Sequence, residues 1–430
     1  MNESKKMSLI EQGQEVINSY DRSEFLAKIN TPIYLSRSFI SHTFNSYNFQ
    51  THFNSAEEFW KLADSQQELR TAHYGNKIMG EFSEEELKLI KDISLDIGGL
   101  TKVFDRKTIP VGINHQLSSI PTVRILQQLK CINEELSSVI EIGGGSGMLG
   151  HMCHRLGLKY SNFDVTQCFY TYNSTFFNYL YKNKFTDTHS IKTDETQFLK
   201  KAIDNEITMI PWWHFVNLEF PLPKFRIVVM NHCFFEISKK AMAFIITRLA
   251  NAINGRVYLV VSGWGSKKFT ELDNSFLKWL EKEFDFRKED IVGNSRINPD
   301  GTILLSFQKT KSTPVDVYSL PIDQRMNMNK VKQKNTHSSK FRSFLSPYIP
   351  TNIKKLLRII LQANKADSFT PLVLGNNIPG ISSENFNTAL YKKNYNDLKR
   401  LIYEIENELG KPSYTEDEAL GFYISRPDHA

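Results

Sequence analysis

VIEIGGGSGMLG, residues 139–150, ends a short apolar run on an acid and then places glycine at 143, 144, 145 and 147. A strand that enters a helix through glycines brings backbone N–H groups close to a ligand, where the helix dipole is positive. Met148, Leu149, Met152 and Leu156 form the apolar stripe of that helix, and Gly157 is its expected stop. Gly145, Gly147 and Gly150 match the GxGxxG of dinucleotide-binding turns. Glu141 argues against a pyrophosphate at this point, because a carboxylate at the strand end repels it. The same carboxylate suits a ligand that carries an ammonium group.

Outward from the loop, strands alternate with helices over residues 116–310. SSVIEI, LKYSNF, EITMIP, FRIVVM, RVYLVV and TILLSF are the strand candidates. Their Val/Ile runs lack polar alternation, so they predict a parallel sheet covered on both faces. NPDG before TILLSF is a turn signal, which predicts an antiparallel hairpin at that end. Residues 1–115 read as a helical region, with Ser55 and Ser83 as N-caps. Residues 311–350 read as a basic linker or arm. Residues 351–430 read as a mostly helical extension, with NIKKLLRIILQ as one helix and a long helix from Ser383 to Leu409 stopped by Gly410.

Glu141-Ile-Gly143-Gly-Gly145-Ser-Gly147 resembles motif I of the class I S-adenosylmethionine (SAM) methyltransferases. The resemblance implies a Rossmann-like seven-stranded α/β sheet with S-adenosyl-L-methionine as cofactor. Glu141, Gly143, Gly145 and Gly147 would hold its methionine end. It also implies an acid after the second strand for the ribose hydroxyls, and Asp164 stands there. More narrowly, residues 116–310 are similar to bacterial sugar O-methyltransferases associated with polysaccharide biosynthesis. Their Asn…Phe…Glu signature after the fourth strand corresponds to Asn231, Phe234 or Phe235, and Glu236. Two departures stand out: Val-Thr follows Asp164 in place of Leu-Pro, and the Asn-to-Glu spacing is short.

Methyl transfer to a sugar hydroxyl needs alignment and removal of a proton. In an open sheet the ligand lies beyond the carboxyl ends of the strands. His232 is therefore the candidate base and Glu236 its orienting or hydroxyl-binding partner, with Asn231 facing the acceptor. His214 is the rival base, and Trp213 beside it could stack on a ring, although burial in the core is the commoner fate of such tryptophans. His151, Cys153 and His154 share one helix but lack a further ligand cluster, so no metal is expected. Phe169, Phe176, Phe177 and Leu180 have the spacing of a packed helix face.

The net charge of +6 is concentrated between Arg325 and Lys365, a stretch with no acid. That segment is the candidate contact for an anionic membrane surface or a phosphorylated glycan precursor. No nucleic-acid partner is expected, since the basic residues lie outside the predicted sheet and no RNA-binding module is present. The four cysteines form no CxxC pair, and the opening MNESKKMSLIEQGQE lacks an apolar h-region. Both features predict a cytoplasmic chain, peripheral at most to the inner face of the membrane. Two rival readings follow from the same residues: an NAD-dependent sugar oxidoreductase or epimerase using GxGxxG, and a non-catalytic scaffold of the same fold in glycan assembly.

Overall fold

The strand expected before the glycine loop is β1 (Ser138–Ile142), and it lies near the middle of an eight-stranded sheet. The structure is a computed structural model. It describes residues 9–30, 51–65, 81–104, 106, 113–191, 205–217, 220–231, 233, 234, 237, 239–253, 255–262, 281–288, 303–309 and 388–410. All of these belong to one compact unit, residues 1–320 with 388–424. The second unit, residues 321–387 with 425–430, lies outside the described residues. The basic segment 325–365 and the helix expected at NIKKLLRIILQ therefore also lie outside them.

β1 pairs in parallel with β2 (Lys159–Asp164) on one side and β5 (Ile227–Asn231) on the other. Beyond β2 come β4 (Ile207–Pro211) and then β3 (Phe185–Asp187), both parallel. Beyond β5 comes β6 (Val257–Ser262), also parallel. β8 (Ile303–Lys309) then runs antiparallel to β6 and to the edge strand β7 (Phe284–Lys288). The full order is β3-β4-β2-β1-β5-β6-β8-β7. Without β3, this is the seven-strand methyltransferase order with its antiparallel end, so the Rossmann-like expectation holds with one strand added. β3 is three residues, FTD, too short and too polar to announce itself. β7 carries alternating Phe284 and Phe286 between charged residues, the period-2 signature of an edge strand.

The apolar strand runs behave as expected: Val139, Ile140, Ile142, Ile207, Met209, Ile210 and Ile227–Met230 are all buried. Burying such side chains from both faces is the main favourable contribution to the fold, about 1.5–3 kcal/mol for each large aliphatic.

The N-terminal region folds onto this sheet. Its helices are α1 (Leu9–Asn30), α2 (Ala56–Ser65) and α3 (Glu84–Gly99), followed by α4 (Ile113–Ile132). The boundary expected at 115 falls in the first turn of α4. Ser83 caps α3 as expected: its Oγ accepts from the Glu86 N–H at 3.1 Å, and Glu86 Oε2 accepts from the Ser83 N–H at 2.9 Å. Ser55 accepts from the Glu58 N–H at 3.4 Å in front of α2. After the loop come α5 (Met148–Arg155), α6 (Gln167–Tyr181), α7 (Trp212–Val216) and α8 (Lys239–Ala252). An aromatic cluster of Phe59, Trp60 and Phe104 packs on Tyr172 and Phe176 of α6, which builds the N-terminal helices into the same core. Of the α6 residues expected to pack, Phe176 and Phe177 are buried, while Phe169 and Leu180 are half-buried.

The long C-terminal helix is α9 (Thr388–Leu409), ending at Gly410 with φ of +70°. It docks on α3, where Lys91 pairs with Glu404 and Glu408 at 3.0 and 2.6 Å. No helix of the described residues is long and apolar enough to cross a membrane.

Candidate functional site

The order of strands reverses at β1, with β2 to one side and β5 to the other, so the ligand crevice of this sheet lies beyond the carboxyl ends of these strands. The glycine loop stands there. Gly143, Gly145 and Gly147 have φ of +71°, +52° and +74°, a region that side chains with a Cβ rarely enter. Neighbours hold the loop from below: Phe163 accepts from the Gly143 N–H at 2.8 Å, and Asn162 Oδ1 accepts from the Gly144 N–H at 3.3 Å. Asn173 of α6 donates to the Gly145 carbonyl at 3.0 Å. A Cβ on Gly147 would lie 2.4 Å from Asn173 Oδ1, and one on Gly150 would lie 2.5 Å from the Tyr160 ring. A Cβ on Gly145 would meet nothing within 4 Å. The loop is therefore packed tightly on its protein side and open at Gly145.

Glu141 is buried, and its carboxylate joins a polar network that crosses four strands. Tyr160 donates to Oε2 at 2.5 Å, and Asn231 donates weakly to Oε1 at 3.4 Å. Asn231 Oδ1 in turn accepts from Ser262 of β6 and, at 2.8 Å, from Thr122 of α4. Burial lifts the Glu141 carboxyl to about 7; nearby Asp164 adds to this, while the bonds from Tyr160 and Asn231 oppose it. Asp164, at the end of β2, is also buried and is pushed up to about 6 by desolvation against hydrogen bonds from Thr166 and from the backbone of Gly145 and Val165. Among the described residues neither acid has an ion-pair partner. Asn162 on β2, the register partner of Glu141, buries an Nδ2 that has no hydrogen-bond acceptor among the described residues.

The other expected residues divide. Asn231 is in place at the end of β5, but its amide is engaged with Glu141, which makes it a positioning group for that acid. His232 and Glu236 lie outside the described residues. His214 is buried in α7, with Nε2 donating to the Thr188 carbonyl at 2.8 Å and its ring stacked 4.3 Å from Phe220. Burial drives it to about 4. It packs against the residues directly after β3, and a side chain so enclosed is poorly placed to take a proton from an acceptor. Trp213 is buried edge-on to Trp212 and Tyr20, at 5.8 and 5.0 Å. His151 is committed to the Tyr181 hydroxyl at 2.7 Å, and His154 Nδ1 lies 3.0 Å from a Glu206 carboxylate oxygen.

Sequence reasoning missed Tyr160, Thr122, Ser262 and Asn162. Each is an ordinary polar residue of its strand or helix with no motif around it, and only the tertiary fold brings them together. It also missed a relay at the β3 edge. There, Asp187 Oδ1 accepts from His189 Nδ1 at 2.7 Å and from the Tyr170 hydroxyl at 2.6 Å, while His189 Nε2 meets Ser19 Oγ of α1 at 2.8 Å. The order Ser-His-Asp is that of a nucleophile with its base. Ser19, however, sits mid-helix, where the neighbouring N–H groups belong to the helix ladder and leave no oxyanion donor. The relay fastens α1 to the sheet edge. Nearby, Asp21, Glu24 and His52 gather donor atoms within 4.8 Å of one another, and Lys28 already neutralises Glu24 at 2.8 Å.

No family model matches the chain, and no curated protein matches it. Solved structures do. Magnesium protoporphyrin IX methyltransferase (ChlM) from Synechocystis PCC 6803 with bound SAH is 12% identical with a TM-score of 0.28, over 52% of this chain and 100% of that one. A TehB-like SAM-dependent methyltransferase from Corynebacterium glutamicum is 13% identical with a TM-score of 0.26, over 43% and 86%. The PH0226 protein from Pyrococcus horikoshii is 9% identical with a TM-score of 0.29, over 44% and 91%. At such scores the likeness adds nothing to what the strand order already states.

Proposed function

We propose that this chain is a SAM-dependent O-methyltransferase whose acceptor is a hydroxyl of a nucleotide sugar or surface glycan. The observation that carries the cofactor is the pair of buried, uncompensated acids, Glu141 and Asp164, at the ends of adjacent parallel strands on either side of a glycine loop open at Gly145. The donor set fits an amino-acid nucleoside. Glu141 takes an ammonium group, Asp164 takes ribose hydroxyls, and the unpartnered Asn162 Nδ2 is available to a carboxylate or to the loop carbonyls. A pyrophosphate would instead meet two carboxylates, with no cation paired to them among the described residues. When bound, the cofactor supplies a methyl group on a sulfonium. The protein's part is to align the acceptor oxygen and remove its proton.

That second task falls to the residues after β5. Asn231 holds Glu141, His232 accepts the proton, and Glu236 orients the base or binds a sugar hydroxyl. The sugar reading rests on the order Asn231, Phe234 or Phe235, and Glu236, and its resemblance to sugar methyltransferases. The basic segment 325–365 would keep the enzyme near an anionic membrane or a phosphorylated glycan, and flotation with anionic vesicles at low salt tests that directly.

The test of the function is transfer of labelled methyl from SAM to a panel of nucleotide sugars and glycans, with phenols and carboxylic acids alongside. Label on a sugar hydroxyl is the expected result. Label on a phenol alone would keep the cofactor and reject the acceptor. Binding of NAD without S-adenosylhomocysteine (SAH) would reject the whole reading in favour of an oxidoreductase.

A further inference from the structure

α1 is positioned as part of the ligand crevice. It rests on α6 and α7, the helices that begin directly after β2 and β4. These two strands are adjacent and parallel, so α1 lies across the cleft at their carboxyl ends. Side chains from α1 hold both helix starts: Gln167 donates to Asp21 at 3.0 Å, and the Trp212 indole donates to Glu24 at 2.8 Å. The Ser19–His189–Asp187 relay fixes the same turn of α1 from the β3 edge.

Tyr20 occupies the middle of this arrangement. Its ring is 1% exposed and wedged between Tyr170 and Trp213, with centroids 5.0 Å away on each side. Its hydroxyl is fully buried and has no hydrogen-bond partner among the described residues; the acids whose charge acts on it are Glu24 first, then Asp164, the expected ribose acid, and Asp187. A buried hydroxyl without a partner is costly, and native proteins seldom keep one without a reason. A phenylalanine would fill the same aromatic slot without that cost.

We infer that Tyr20 is a cofactor-binding residue: its hydroxyl bonds the nucleoside half of the ligand beside Asp164, so that the N-terminal helix completes the pocket. This rests on the cofactor reading above. It extends the site to a residue 121 positions before Glu141, on an element that motif I does not include.

The experiment is calorimetric titration of wild type and Tyr20→Phe with SAH and with 5′-methylthioadenosine, which lacks the amino-acid tail. Melting of both free proteins is recorded alongside. The expected result is about a tenfold loss of affinity for both ligands in Tyr20→Phe, with a free-protein Tm equal to or above wild type. Equal affinities in the two proteins would overturn the inference while leaving the cofactor reading intact. A clear fall in the free-protein Tm of the variant would also overturn it, by showing that the hydroxyl has a partner within the protein. Failure of wild type to bind either ligand would remove the inference together with the reading beneath it.

Discussion

Two carboxylates of one sheet, Glu141 and Asp187, settle on opposite sides of the ordinary carboxylate range. Asp187, on the β3 edge, is held below the ordinary carboxylate range: burial raises it, but the His189 imidazole and the hydrogen bonds it collects outweigh that. Glu141, in the central strand, is lifted to about 7 by burial, which its neutral hydroxyl and amide partners only partly offset. The difference separates structure from site. Asp187 has its counter-charge within the fold and uses it to secure α1. Glu141 and Asp164 are arranged as if the counter-charge and donors come from a ligand, and a cost to the free protein follows from that.

The largest expected effect is on binding. Glu141→Gln keeps the shape and the Tyr160 bond but removes the charge, and SAH affinity should fall about a hundredfold, the loss typical of breaking a buried charged contact. If Glu141 were only a node of the polar network, calorimetry would show little change.

Next comes pH. Binding an ammonium requires ionised Glu141, so SAH affinity should rise roughly tenfold between pH 6 and 8 and then level off. Glu141→Gln should flatten that rise, leaving only the weaker dependence from Asp164 around its value near 6. Stability of the free protein runs the other way. A carboxyl raised in the folded state favours folding below its ordinary value of 4.5, and that contribution is lost as pH climbs through about 7. Thermal melts should therefore place Glu141→Gln a few degrees above wild type at pH 8 and level with it near pH 5.

The β3 edge should instead contribute most within a pH window that is bounded on both sides. His189 faces Asp187 on its own strand edge, Ser19 and Tyr20 from α1, Tyr170 from α6, and His214 from α7. Its pKa is raised chiefly by Asp187, against the burial that lowers it. The stability it contributes is present below the ordinary histidine value of 6.5 and is lost as pH rises through its raised folded value. Asp187's share is present above the ordinary aspartate range and is lost as pH falls through its depressed one. His189→Ala should cost about 2 kcal/mol in the window between, and less on either side. A cost that did not vary with pH would mean the ring serves by packing alone. The smallest effect is expected at the cap of α3, where Ser83→Ala should lower stability by about 1 kcal/mol without touching SAH affinity.

Much of this architecture is legible in the residues themselves. Long Val/Ile runs can only be satisfied with both faces covered, so the parallel strands declare themselves. The glycine loop does so because its backbone excludes side chains at Gly143 and Gly147. β3 is silent because three residues carry no period. The Tyr160–Glu141–Asn231–Ser262 network is silent for a different reason: its members lie on four strands, and only register joins them. Tyr20 and the Ser19–His189–Asp187 relay depend on α1 docking over two helix starts, a tertiary fact that local pattern does not encode. His214 follows a strand, where the sequence offers it as a base, and the fold buries it.

The most direct test of the central claim is titration of SAH into wild type and Glu141→Gln at pH 6 and pH 8. Strong binding by wild type at pH 8, about tenfold weaker binding at pH 6, and a variant weak at both would show that Glu141 meets the ligand's ammonium as an ionised group. Equal affinity in the two proteins at both pH values would contradict the account and leave Glu141 a structural residue beneath a loop that serves another ligand.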